Sequence, residues 1–246
     1  MKNDQKNVES FNQDVLQGTY AYYGEKLSSR LANERIDRGI IDLMRRFPLE
    51  GKSVLDIGSG DGTTALFLCK LGARRVVGID PAENAVAAAM ERCERDPLSK
   101  GKTRFVAADV ASFSSAEHFD VVVFSRVIHH LPDPAGSIQK AAAFAPAFLA
   151  IEPNGLNLAL KVIEKISPYH RAHDEKSYTP ATLTRWFEAA GYAIKQTSYV
   201  NLVAMFCPDW LAKICKIFEP AIESIPFINS LCCGQFLLYG EKADHR

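Results

Sequence analysis

The sequence predicts an α/β protein: a doubly wound, mostly parallel sheet of seven strands with helices on both faces, an N-terminal helical cap and a C-terminal helical insert. Three observations lead there. After Gly51, short runs rich in Val, Ile, Leu and Phe alternate with helix-period segments, the pattern of a parallel sheet covered on both sides. The first of these runs ends in Gly58, Gly60 and Gly62, glycines on alternate positions. With 246 residues, 47% of them hydrophobic, the chain can bury the core of one domain carrying appendages.

The elements follow in order. Residues 1–50 are expected to form the cap, with Ile36, Ile40, Leu43 and Phe47 on one face of a helix and the aromatic cluster Tyr20, Tyr22 and Tyr23 before it. Residues 51–201 form the core, with strands expected at Ser53 to Ile57, Arg75 to Ile79, Thr103 to Ala107, Phe119 to Phe124, Ala147 to Glu152 and Ala193 to Tyr199. Between them, Val86, Ala89, Met90 and Cys93 fall at i, i+3, i+4 and i+7 and predict one apolar helix face. A further helix is capped by Thr179, opened by Pro180 and ended by Gly191, with Leu183, Trp186, Phe187 and Ala190 as its stripe. Residues 202–233 interrupt what is otherwise a hairpin. There Trp210, Leu211, Ile214, Ile217 and Phe218 repeat at helical spacing, and Pro220 is expected to stop the helix. An insert of this length usually has a function, here that of a lid. Residues 234–246 hold the last strand, Gln235 to Glu241, and a tail.

A buried strand that delivers a glycine turn suits a nucleoside ligand. Dinucleotide-binding domains use such a turn, but their pyrophosphate site wants its third glycine one place later. With Asp56 before the turn and Asp61 within it, a phosphate would also meet two like charges. A ligand carrying positive charge fits better, and NAD is disfavoured. Val54 to Gly62, Gly78-Ile79-Asp80-Pro81, Ala108-Asp109-Val110 and Phe119 to Leu131, in that order at successive strand ends, resemble the class I S-adenosylmethionine-dependent methyltransferases. The resemblance spans roughly Gly51 to Gly191 and implies a Rossmann-like fold.

Ligands in such sheets lie outside the carboxyl ends of the strands, where strand order reverses. Gly58 and Gly60 are therefore expected beneath the cofactor, where a Cβ would collide with its amino-acid portion. Asp56 either accepts from the ammonium group or orients the turn's own amides. Asp80, followed by Pro81, sits where a carboxylate accepts from both ribose hydroxyls; interaction with a helix dipole is compatible with that. The resemblance implies that Asp109, beside Val110, binds the exocyclic amine of adenine; a turn-capping aspartate is the alternative. Ser125 is expected to offer a backbone carbonyl to the ammonium, while the Arg126 side chain is excluded by charge. Tyr20 or Tyr22 can close over a sulfonium, since an aromatic face attracts a cation.

Methyl transfer is an in-line displacement, so the enzyme aligns the acceptor and withdraws its proton. His129 is the first candidate base and His130 the second; capping or packing is the competing role. Glu152 can orient a histidine or bind the acceptor. The loop Tyr169 to Glu175 is a plausible pocket rim. His170, His173 and Asp174 lack an evident fourth ligand, so no metal is expected.

Lys plus Arg equal Asp plus Glu at 29 each, which gives no basic footprint for nucleic acid. Six cysteines without CxxC pairs read as reduced core thiols. The polar start and the lack of a long apolar run predict a cytoplasmic protein without a membrane span, with peripheral lipid contact left open. The expected function is methyl transfer from S-adenosylmethionine to an O, N or C atom of a small, partly apolar metabolite, leaving S-adenosylhomocysteine. The alternative is a cofactor-binding regulator or partner subunit without catalysis. An outward-facing Trp210 to Phe218 stripe would lend that alternative weight.

Overall fold

The computed structural model describes residues 8–9, 12–13, 26–166, 176–205 and 207–242. In chain order these hold α1 (Leu27–Met44), β1 (Ser53–Ile57), α2 (Thr63–Lys70), β2 (Arg75–Asp80), α3 (Glu83–Arg95), β3 (Thr103–Ala107) and β4 (Val121–Ser125). A 3-10 turn, Ile128–His130, follows. Then come α4 (Pro134–Ala141), β5 (Ala147–Pro153), α5 (Leu158–Ile166), α6 (Pro180–Ala189), β6 (Tyr192–Val200), α7 (Asp209–Ser224), α8 (Ile228–Cys232) and β7 (Gln235–Lys242).

The strands form one sheet in the order β3-β2-β1-β4-β5-β7-β6. β7 runs antiparallel to both neighbours, while the other pairings are parallel. Order reverses between β1 and β4, so the carboxyl ends of these two strands open a crevice. Alternate side chains sort to opposite faces, as a strand period of two requires. Val54, Val76, Val121 and Leu149 join Ile36, Ile40, Leu68 and Ala89 on the face covered by α1, α2 and α3. Leu55, Val77, Val122 and Phe148 join Ile138, Leu183 and Phe187 on the face covered by α4 and α6.

All seven expected strands are present, with ends that move by two residues at most. The expected helix faces need two corrections. Val86, Ala89 and Cys93 are buried, but Met90 is 56% exposed, because α3 packs on the sheet with a narrower stripe than its spacing suggested. Pro220 does not stop α7, which runs on to Ser224. Proline within a helix forfeits one hydrogen bond at a cost of ~3 kcal/mol. Tertiary contacts offset it: the Glu223 carboxylate, one turn on, takes Arg35 Nη2 at 2.5 Å and the Asn201 amide at 2.8 Å.

Thr179 caps α6 as expected, its side chain accepting from the Thr182 amide, and Gly191 ends it at φ 91°. The helix with Ile36, Ile40 and Leu43 is α1, which lies on the sheet face with those residues buried. Phe47 just beyond it stacks on Tyr239 at a centroid distance of 4.0 Å. At the other end of the N-terminal region, Asn12 Oδ1 accepts from the Asn84 amide at 3.0 Å, in the first turn of α3.

Candidate active site

β1 delivers its turn by two hydrogen bonds to β2: the amides of Gly58 and Ser59 both donate to the Ile79 carbonyl, at 2.9 and 3.0 Å. Gly58, Gly60 and Gly62 all have positive φ, a conformation that side chains with a Cβ resist. A Cβ on Gly58 would lie 2.2 Å from Val127 Cγ2. The neighbour such a Cβ would strike within the protein is the loop after β4, a constraint that stands beside the expected closeness to a cofactor. A Cβ on Gly62 would approach Ala89 at 2.9 Å. This third glycine therefore lets α2 start against α3, a close helix packing the spacing had been taken to lack.

The acids around the turn behave differently from one another. Asp61 Oδ2 pairs with Arg92 Nη2 at 2.6 Å, and its Oδ1 accepts from the Thr63 amide. Its charge is thus compensated and repels nothing in the crevice, contrary to the sequence reading. Asp80 fastens the turn to β2, with Oδ2 accepting from the Gly60 amide and Oδ1 from the Ala82 amide, each at 2.9 Å. Burial pushes this carboxyl up, while those two amides pull it back. Pro81 beside it is exposed and Val110 is buried in the core.

Asp56 stands apart. It is fully buried at the crevice end of β1, yet neither carboxylate oxygen meets a hydrogen-bond partner. Burial, reinforced by the charge of Asp80, pushes it up to about 8. The competing role, holding the turn's own amides, is therefore not the one it plays. Ser59 Oγ, a residue sequence reasoning passed over, is likewise buried without a partner. A set of orphaned oxygens beside a glycine turn fits a ligand that brings donors and positive charge.

Asp109 caps its own turn, Oδ1 taking the Ser112 amide at 2.6 Å, and that bond holds its carboxyl below the usual range. Its exposed position leaves room for a ligand as well. Ser125 ends β4 half-buried. Arg126 follows at φ 55°, its amide donating to the Ile151 carbonyl at 2.7 Å and its Nη1 to Asn33 Oδ1 at 2.9 Å. The guanidinium thus engages α1.

Across the crevice β4 and β5 present the histidines. Glu152 Oε1 accepts from the amides of Val127 and Ile128 at 2.9 and 2.8 Å, which sets the turn. Its Oε2 lies 2.6 Å from His129 Nδ1, with both side chains almost wholly buried. A carboxylate here makes Nδ1 a protonated nitrogen, so in the neutral ring Nε2 carries the lone pair. The His130 ring lies 4.0 Å from that of His129, centroid to centroid. Just beyond Glu152, Asn154 Nδ2 donates to the carbonyls of Ser230 and Cys233 and ties the β5 exit to α8.

Tyr20, Tyr22 and the loop Tyr169 to Glu175 lie outside the described residues. Among the described residues there is no cluster of three or more His, Cys, Asp or Glu able to hold a metal. No helix among them is long and apolar enough to cross a membrane.

The family model described as a methyltransferase domain matches residues 32–197. The chain belongs to that family, the class I S-adenosylmethionine-dependent methyltransferases, and S-adenosylmethionine is its cofactor. Proteins it resembles include the ubiquinone biosynthesis O-methyltransferase of Leptothrix cholodnii, 27% identical over 174 residues, which cover 67% of this chain and 74% of that protein. Its counterpart in Methylobacterium sp. (strain 4-46) is 30% identical over 170 residues, covering 62% of this chain and 64% of that protein. Magnesium protoporphyrin IX methyltransferase from Synechocystis PCC 6803, crystallised with bound S-adenosylmethionine, has the same fold. It superimposes with a TM-score of 0.68 at 15% identity, over 99% of this chain and 98% of that one.

Proposed function

We propose that this methyltransferase acts on a hydroxyl oxygen of a small, partly apolar metabolite, with His129 as the base. The observation that carries the reading is the buried pair of His129 Nδ1 and Glu152 Oε2, 2.6 Å apart at the edge of the crevice. A hydroxyl must lose its proton as it becomes an ether, and a positioned imidazole accelerates such a step about 10²- to 10⁴-fold. A neutral amine needs that help less. The names of the ubiquinone O-methyltransferase relatives point to the same acceptor atom.

When bound, S-adenosylmethionine supplies an activated methyl group on its sulfonium, and S-adenosylhomocysteine leaves. Asp56 and the carbonyl of Ser125 hold the ammonium end, with Gly58 and Gly60 as the floor. Asp80 takes the ribose hydroxyls with the lone pairs that Gly60 and Ala82 leave over. Asp109, flanked by Val110, takes the adenine amine through the oxygen that Ser112 does not use, and Pro81 lines the adenosine side. Glu152 keeps His129 in the tautomer whose Nε2 accepts the acceptor's proton, and His130 packs beside it as the second candidate. Residues 202–233 form a lid to the acceptor pocket, with α1 of the N-terminal cap packed beside it against β6 and β7.

The test is methyl transfer to a panel of phenols with and without isoprenoid tails, alongside calorimetric titration with S-adenosylhomocysteine. His129→Ala is expected to lower kcat about 10²- to 10⁴-fold with product affinity unchanged. A variant that retains full kcat would remove His129 from the chemistry.

A further inference from the structure

The turn after β1 encloses a carboxyl that its own surroundings leave unsatisfied. Asp56 is wholly buried, and among the described residues neither of its oxygens meets a donor; even the buried hydroxyl of Ser59, three residues on, makes no bond to it. Room for Ser59 comes from β2. Gly78 stands level with Asp56 in the ladder, and a Cβ there would lie 2.7 Å from Ser59 Cβ and 2.5 Å from the Phe105 ring.

Among the described residues, the neighbouring charges do not compensate Asp56. On β2, Asp80 is a second buried carboxyl, its oxygens committed to the amides of Gly60 and Ala82. On β4 the residue level with Asp56 is Val123, and beyond that strand the Arg126 guanidinium turns to Asn33 of α1. Over this face α1 lays Ile36 and Ile40, α2 lays Ala65, Leu68 and the Cys69 thiol, and α3 lays Ala89 and the Cys93 thiol. Burial pushes both thiols up, so they stay neutral, and Arg92 of α3 is committed to Asp61. Burial beside Asp80 pushes the Asp56 carboxyl up to about 8, so the free protein keeps that proton at pH 7.

A carboxyl kept neutral for want of a donor becomes a carboxylate when a cation with its own donors reaches it. The cofactor carries such a group, its α-ammonium. We propose that Asp56 takes the cofactor in exchange for a proton: a carboxylic acid in the free protein, it gives its proton to solvent as the ammonium docks. It then stays ionised for as long as S-adenosylmethionine or S-adenosylhomocysteine is bound. The O–H bond of Asp56 breaks, its electron pair remains on the carboxylate, and the ammonium arrives and leaves unchanged. Contact between Asp56 and the ammonium rests on the proposed function; the exchange of a proton goes beyond it. Asp56 thereby sets specificity, since an adenosine ligand without the ammonium gains nothing from ionising it.

S-adenosylhomocysteine is titrated into the full chain by calorimetry at pH 7 in phosphate and in Tris, buffers with different heats of ionisation. About one proton released per ligand is expected, with affinity about tenfold weaker at pH 6. Infrared difference spectra should show the band of a protonated carboxyl disappear on binding. Asp56→Asn, titrated at higher protein concentration, is expected to bind with the same heat in both buffers. So is the parent with 5′-methylthioadenosine, which lacks the ammonium. Equal heats for the parent in the two buffers, with that band unchanged, overturn the exchange, while weakened binding by Asp56→Asn would leave the ammonium contact standing. Asp56→Asn that binds like the parent removes the contact and the exchange together. A proton released by 5′-methylthioadenosine overturns the assignment as well.

Discussion

Two carboxylates are buried at the carboxyl edge of the sheet, one on each side of the switch in strand order, and they are treated in opposite ways. Glu152 on β5 is satisfied from within: two backbone amides and an imidazole meet its oxygens. Asp56 on β1 is met by nothing, and burial keeps it near half-protonated at pH 8. The β4–β5 side is thus a finished piece of machinery before any ligand arrives. In the function proposed above, the β1–β2 side is completed by what binds there, because an orphaned buried carboxyl gains most from a cation that brings its own donors.

The strongest way to break this contrast is to remove the finished side. Glu152→Ala strands two amides and a buried imidazole, and is expected to cost about 3–5 kcal/mol of stability; urea unfolding measures it. Glu152→Gln keeps the volume, so its expected signature is a fall in kcat with an altered pH profile and little change in melting temperature. Gly58→Ala comes next, at about 3 kcal/mol, since it adds both the strain of positive φ and a contact with Val127 at 2.2 Å. A crystal structure of that variant should show the loop after β4 displaced.

Asp56→Asn sharpens the comparison through pH. Because the folded carboxyl titrates at about 8 against a reference of 3.8, the folded state keeps a proton that the unfolded chain gives up. The stability this contributes is fully present below the reference value and is lost as pH rises through 8. Asn does not titrate, so the variant's ligand-free stability is expected to vary less between pH 4 and 8. It should exceed the parent in ligand-free stability at pH 8 by more than at pH 4, as unfolding at the two pH values would show. Its affinity for S-adenosylmethionine is expected to fall at least tenfold. The smallest effect belongs to Arg92→Ala. The Arg92–Asp61 pair is half-exposed on the arginine side, and its loss is expected to cost about 1 kcal/mol or less.

Much of this was readable from residues that act through their neighbours in sequence. The strands, the glycine turn and the Thr179 cap are local patterns, and Asp80 and Asp109 stand at strand ends that the pattern locates. What α7 does was not readable in the same way. Its apolar repeat was evident, but whether the stripe faces the crevice or the outside depends on where Arg35 meets Glu219 and Glu223, a contact between distant segments. The same contact supports the helix past Pro220, which propensity alone would have ended. Met90 is exposed for a related reason: spacing names a face, while the curvature and position of the sheet decide how wide a stripe it covers.

By itself, the sequence determined the order of strands and helices, the tight turn after β1 and the family of the chain, since periodicity and glycine placement act over a few residues. Only the tertiary structure decided which charged groups have partners. Asp61 is neutralised from α3, Asp56 is left bare, and His129 finds Glu152 across the β4–β5 pairing, 23 residues away. Whether a buried charge is paired is a property of the space around it, and that space is enclosed only when distant segments pack.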